Sequence, residues 1–250
     1  MEWSPAGAIA AALAFLVVFW FAYDIICRTL GQTKNGDAKV GALVLVLVCI
    51  AAYAATQMFA GRAAFLLMGA MLATAMSANV FFWIIPGQRT MVADMKAGRP
   101  VDPIHGIRGK QRSVHNTYFT LPVLFAMLSN HYSFTYAHPQ NWLILIGMMF
   151  AGAAIRQFFV MRHGYKLGRN PHPWKYAAVG VAVLLGLIVW LRPAPTAPAA
   201  AAPATVGYAQ LQPVVAQRCV MCHGEALQSK GVRLDSADEL KKNAQIGFKQ

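Results

Sequence analysis

Two clusters in this 250-residue chain carry residue types and spacings able to do chemistry. The first, QRCVMCHGE at residues 217–225, places two thiols and an imidazole in Cys-x-x-Cys-His order, the attachment signal of a c-type haem. Cys219 and Cys222 would form thioethers to the vinyl groups, and His223 would ligate the iron from one side. A zinc knuckle needs a second ligand pair, and none follows. A thioredoxin-like redox pair needs a βαβ setting that the region lacks. Cys27 and Cys49 have no partners at metal spacing and read as inert small apolar residues.

The second cluster, HGIRGKQRSVHN at residues 105–116, gathers three cations, two glycines, a glutamine and two histidines next to an apolar run. One reading is a basic loop that obeys membrane topology and touches anionic lipid. The other is an anion site. Arg108 or Arg112, beside Gln111, would hold a flat anionic heterocycle through paired hydrogen bonds, with Lys110 as a point charge, Asn116 as a further polar contact, and His115 to move a proton. A pair of haem b groups on His115 and His131 is disfavoured, because sixteen residues on one helix turn them about 160° apart.

The elements that must position these residues are apolar. Hydrophobic residues make up 57% of the chain and charged residues only 12%, which excludes an ordinary soluble domain. Runs of about 20 apolar residues, enough to cross a bilayer, lie at 6–26, 40–60, 62–85, 117–134, 141–161 and 175–191. The fold class expected is therefore all-α, a polytopic membrane helix bundle of about six spans, covering residues 1–191.

Basic residues alternate along the connections. Arg28, Lys34 and Lys39 follow the first span, Arg89 to Arg112 the third, and Arg162 to Lys175 the fifth, whereas the intervening connections hold Arg62 alone or no Lys or Arg. The positive-inside rule makes the basic connections cytoplasmic and puts both termini outside. The formal net charge of +13 is then a topology signal. No nucleic-acid module is recognisable, so nucleic acid is not an expected partner. Asp24, Asn79, Arg156 and Gln157 fall within or at the ends of spans, where polar groups are expensive and point either to function or to interhelical hydrogen bonding.

Beyond the last span, residues 192–207 form a Pro/Ala tract expected to act as an extended tether. Residues 208–250 read as a partial, apparently truncated cytochrome c domain: a short helix, the haem motif, and a helix with Ser236 as N-cap and Glu239 at the capping-box position. Residues 224–250 contain neither Met nor His, so a five-coordinate or water-ligated haem is expected.

Residues 61–142, from GRAAFLLMGAML through WIIPGQRTMVADMKAGRPVDPIHGIRGKQRSVHN to FTYAHPQNW, closely resemble the membrane-bound urate oxidases, or urate hydroxylases, of bacterial purine breakdown. The tether and C-terminal cytochrome match that arrangement. Members usually begin with additional N-terminal helices and a long loop rich in Trp and His, so the expectation is either a fragment or a gene with shifted ends. The resemblance implies oxidation of urate to 5-hydroxyisourate at the cytoplasmic side of the bacterial inner membrane. It also implies that electrons leave through the fused haem c, on the periplasmic side, to a respiratory-chain acceptor such as a terminal oxidase. The alternative is a non-catalytic, membrane-anchored cytochrome c electron carrier, which would have no need of the basic 105–116 cluster.

Overall fold

The structure, a computed structural model, describes residues 4–192, 207–225, 228 and 231–247. All regular elements among them are helical. The chain divides into two compact units, Met1–Arg192 and Pro193–Gln250.

The first unit contains α1 (Pro5–Leu30), α2 (Gly36–Met58), α3 (Gly61–Asn79), a π-helical turn (Val80–Ile84), α4 (Ile85–Lys96), α5 (Pro103–Leu128), the short α6 (Ser133–Tyr136), α7 (Asn141–Lys166) and α8 (Trp174–Trp190). Four helical stretches are long and apolar enough to cross a membrane: Pro5–Leu30, Gly36–Met58, the 36-residue run Gly61–Lys96 and Asn141–Lys166. The other two expected spans fall on α5, whose first half is charged, and on the 17-residue α8, about 25 Å long at 1.5 Å per residue.

The unit exposes much apolar surface and buries, within an apolar core, a few polar side chains. Phe81 is 72% exposed and Val18 65%, while Asn79 is fully buried and Arg112 only 2% exposed. Surface carbon of this kind suits lipid. Polar side chains that would be costly in hydrocarbon turn inward, where they meet partners. The core joins α1, α2, α3, α5 and α7 through Phe65, Met68, Met71, Leu72 and a set of small residues, among them Ala52, Ala55, Ala64 and Ala75. Small side chains let helices approach closely. At Gly69 a Cβ would lie 2.9 Å from that of Ala126, and at Gly180 2.9 Å from the carbonyl of Ala151.

Three sequence expectations are corrected. The 105–116 cluster is not a loop: α5 is one helix from Pro103 to Leu128. The Asp102 carboxylate accepts the Ile104 N–H at 2.9 Å and Pro103 takes the first turn, where its missing donor costs nothing. Gln111, Arg112, Phe119, Pro122 and Ala126 then fall on one buried face, at helical spacing. Helix α5 ends before His131, which sits in a 3₁₀ turn, so His115 and His131 do not share a helix. The third apolar run likewise continues past its expected end at 85 to Lys96. The π turn at Val80–Ile84 widens the backbone directly before Pro86, which offers no N–H to the preceding turn.

In the second unit, α9 (Tyr208–Arg218) leads into α10 (Val220–His223), and α11 (Ala237–Gly247) follows. Ser236 caps α11, its hydroxyl oxygen accepting the Glu239 N–H at 3.3 Å. Most of the Pro/Ala tract, and the Cys222 side chain, lie outside the described residues.

Candidate functional site

Helices α1, α5 and the π turn converge on Arg112. Its guanidinium donates to the Asp24 carboxylate at 2.6 Å and to Asn79 Oδ1 at 3.1 Å. It lies 5.0 Å from the ring centres of both Tyr23 and Trp83. The Trp83 indole N–H donates to the same Asp24 carboxylate at 2.8 Å. The π turn is what aims Trp83 inward, since one extra residue in the turn rotates the positions after Asn79 relative to a regular helix.

A cavity of about 440 Å³ opens beside this pair, lined by Cys27, Arg28, Gln32, Trp83, Arg108 and Arg112 among others, a volume in the range of small-molecule sites. Arg28 and Arg108 stand 5.7 and 5.9 Å from the Trp83 ring centre. Three guanidinium groups therefore surround one indole. The Asp24 carboxylate is bound by Arg112 and Trp83 and lies 3.7 Å from the Arg28 guanidinium, so one carboxylate faces three cations and the cavity keeps a cation excess. An aromatic platform ringed by positive charge suits a flat anion, which stacks on the ring and meets donors at its edge.

The expected residues separate. Arg108, Gln111 and Arg112 line the cavity. Gln111 is tied down, donating to Asp37 at 2.8 Å while also facing the Gly31 carbonyl at 3.4 Å. A methyl at Gly31 would stand 2.5 Å from Gln111 Oε1, so the missing side chain makes room for this contact. Lys110 is exposed and lies off the cavity wall. Asn116 is held inside the bundle, accepting from Asn79 at 2.8 Å and donating to the Met76 carbonyl at 3.1 Å. His115 stands behind Cys27, with Nδ1 2.8 Å from the Tyr23 hydroxyl and 3.7 Å from the Cys27 sulfur. Cys27, expected to be inert, thus joins the cavity wall to the imidazole.

Arg28, Trp83 and Tyr23 were not among the candidates. The i, i+4 pairs Tyr23/Cys27 and Asp24/Arg28 on α1 are the signal that places them on one face. Elsewhere in the bundle the Tyr118 hydroxyl bonds Gln157, joining α5 to α7, and the Nε of Arg156 is buried without a hydrogen-bond partner.

In the second unit, His223 Nδ1 lies 3.2 Å from the Val232 carbonyl oxygen, and the His223 carbonyl accepts from Leu234 at 2.8 Å. A carbonyl only accepts, so Nδ1 carries the hydrogen and Nε2 presents a lone pair, as an iron ligand must. Cys219 starts the helical turn that carries His223, and its carbonyl accepts the His223 N–H at 2.9 Å. Among the described residues no group of three or more His, Cys, Asp and Glu side chains is arranged to hold a metal ion by itself. A haem brings its own four nitrogens and asks less of the protein. The Asp235 carboxyl is held below its usual range by hydrogen bonding to Arg233.

An all-helical bundle with four helices long and apolar enough to cross a membrane and an electropositive, aromatic-walled cavity is compatible with a membrane protein that binds a small molecule. The chain belongs to the urate oxidase N-terminal family, whose model matches residues 1–192. No curated protein and no solved structure matches it.

Proposed function

We propose that the chain is a membrane-bound urate-oxidising enzyme that converts urate to 5-hydroxyisourate and passes the electrons through a covalent haem c to a respiratory-chain acceptor such as a terminal oxidase. The observation that carries this reading is the Trp83 indole ringed by Arg28, Arg108 and Arg112 at one wall of a 440 Å³ cavity. It stands in a chain of the urate oxidase N-terminal family.

Urate is a planar monoanion at neutral pH, and water adds to it as two electrons and two protons leave, giving 5-hydroxyisourate. Trp83 stacks on the purine face. Arg28 and Arg108, which keep exposed guanidinium groups, meet its oxygens. Arg112 is fixed by Asp24 and Asn79, so it supplies field and position more than a free pair of donors. His115, whose Nδ1 lies 3.7 Å from the sulfur of Cys27 on the cavity wall, is the imidazole that acts there. Cys219, Cys222 and His223 would hold a haem c, which would supply a one-electron acceptor for the two electrons. Six spans with both termini periplasmic, in the bacterial inner membrane, follow from the alternation of basic connections.

Equilibrium binding of labelled urate to the purified chain in lipid nanodiscs tests the site. Arg108→Ala should weaken binding by the loss of one charged hydrogen bond, about 1.5–3 kcal/mol, with haem content unchanged. Trp83→Ala should weaken it at least as much. Binding unaffected by both substitutions contradicts the assignment.

A further inference from the structure

The hydrogen bonds around Asn79 settle which atoms of this buried network carry protons. A guanidinium has donors only, so the Asn79 atom facing Arg112 Nη1 at 3.1 Å is its oxygen. The Asn79 amide nitrogen then has two hydrogens to place. One goes to the Tyr23 oxygen at 2.9 Å and the other to Asn116 Oδ1 at 2.8 Å. Asn116 agrees from the other end, since its own nitrogen faces the Met76 carbonyl, a pure acceptor, at 3.1 Å. Having accepted from Asn79, the Tyr23 oxygen directs its own hydrogen along the remaining short contact, 2.8 Å to His115 Nδ1. His115 Nδ1 is therefore bare, and the ring hydrogen sits on Nε2.

The alternatives break a bond. With a hydrogen on His115 Nδ1, in the other tautomer or in the imidazolium, Tyr23 would accept twice and its own hydrogen would have only the Cys27 sulfur nearby, a weak acceptor. The direction of the relay is anchored by the charge of Arg112, itself locked to Asp24 at 2.6 Å. Among the described residues His115 Nε2 has no hydrogen-bond partner, and it is not a sealed, orphaned atom. It is available to a ligand or a bound water.

We infer that Asn79 and Tyr23 are positioning residues that hold His115 as a neutral imidazole offering an Nε2–H donor, and not a lone pair, to the anionic heterocycle or its water. In this form His115 is not a resting general base. It donates a hydrogen bond to the bound anion or to the water that adds to it. The role in turnover rests on the urate reading; the tautomer does not.

Nitrogen-15 spectroscopy of histidine-labelled protein in nanodiscs, without urate, reads the tautomer directly, with His115 assigned by difference against His115→Gln. The expected spectrum has hydrogen-coupled Nε2 and bare Nδ1. Asn79→Asp supplies the sharpest contrast. An Asp side chain has no donor, so Tyr23 gives its hydrogen to it and accepts from His115, which moves the ring hydrogen to Nδ1. Asn79→Ala removes the relay without reversing it and should give a tautomer mixture. In turnover, Asn79→Asp should lower kcat/KM for urate at least tenfold. A hydrogen on Nδ1 in the unsubstituted protein overturns the inference, as does a tautomer that Asn79→Asp leaves unchanged. If the tautomer behaves as expected but the chain binds no urate, the urate reading falls and the relay stands.

Discussion

His115 and His223 show how an imidazole takes its chemistry from the atom opposite. At His223 the Val232 carbonyl accepts, so Nδ1 carries the hydrogen of that bond and Nε2 is the nitrogen left for the proposed iron ligand. At His115 the Tyr23 hydroxyl donates, so Nε2 keeps the hydrogen. Neither tautomer is legible in the sequence, because both partners depend on folding: Tyr23 is distant in the chain and Val232 lies across a turn. Arg112 shows the same limit. Its type and position suggested a substrate ligand, and it does line the cavity, but burial beside Asp24 gives it a structural duty as well. Asp24→Asn leaves that cation uncompensated and should cost about 3–5 kcal/mol of stability, seen as a lower melting temperature of the detergent-solubilised protein. Arg108→Ala, at an exposed residue, should leave the melting temperature within a degree or two. Equal shifts in the two variants would remove the distinction between the structural and the substrate-facing arginine.

At the scale of elements, apolar runs located α1, α2, α3, α7 and α8 closely, since a helix in hydrocarbon needs no pattern beyond length. Helix α5 was half missed because its first half is polar and carries two glycines, which outweighed a legible start signal, Asp102 followed by Pro103. The π turn left no sign except Pro86, yet it aims the residue on which the site depends. Close helix packing was foreshadowed only by the number of small residues, and the particular contacts needed coordinates. At Gly61 a Cβ would stand 2.1 Å from the Tyr136 carbonyl oxygen, while at Gly41 it meets nothing within 4 Å. Gly61→Ala should therefore destabilise the bundle by about 1–3 kcal/mol, and Gly41→Ala should be neutral or slightly stabilising. Thermal unfolding of the two variants side by side checks this; a harmless Gly61→Ala would mean that α3 and the α6 turn are not packed this tightly.

For the whole molecule, an apolar exterior and a buried polar cluster around Arg112 fit a protein whose solvent is lipid, and in the proposed topology the basic connections are cytoplasmic. Reporter fusions after Gln250 and within residues 97–102 should be active on opposite sides, periplasmic and cytoplasmic respectively; activity on the same side would overturn the six-span topology. The central claim joins the two units: urate bound at Trp83 is oxidised, and the haem on His223 receives its electrons. Following the reduced haem band in isolated membranes tests it most directly. The account predicts that urate reduces the haem, and that Arg108→Ala membranes with equal haem content do so at least tenfold more slowly at sub-saturating urate. A haem that dithionite reduces fully but urate leaves oxidised would contradict it.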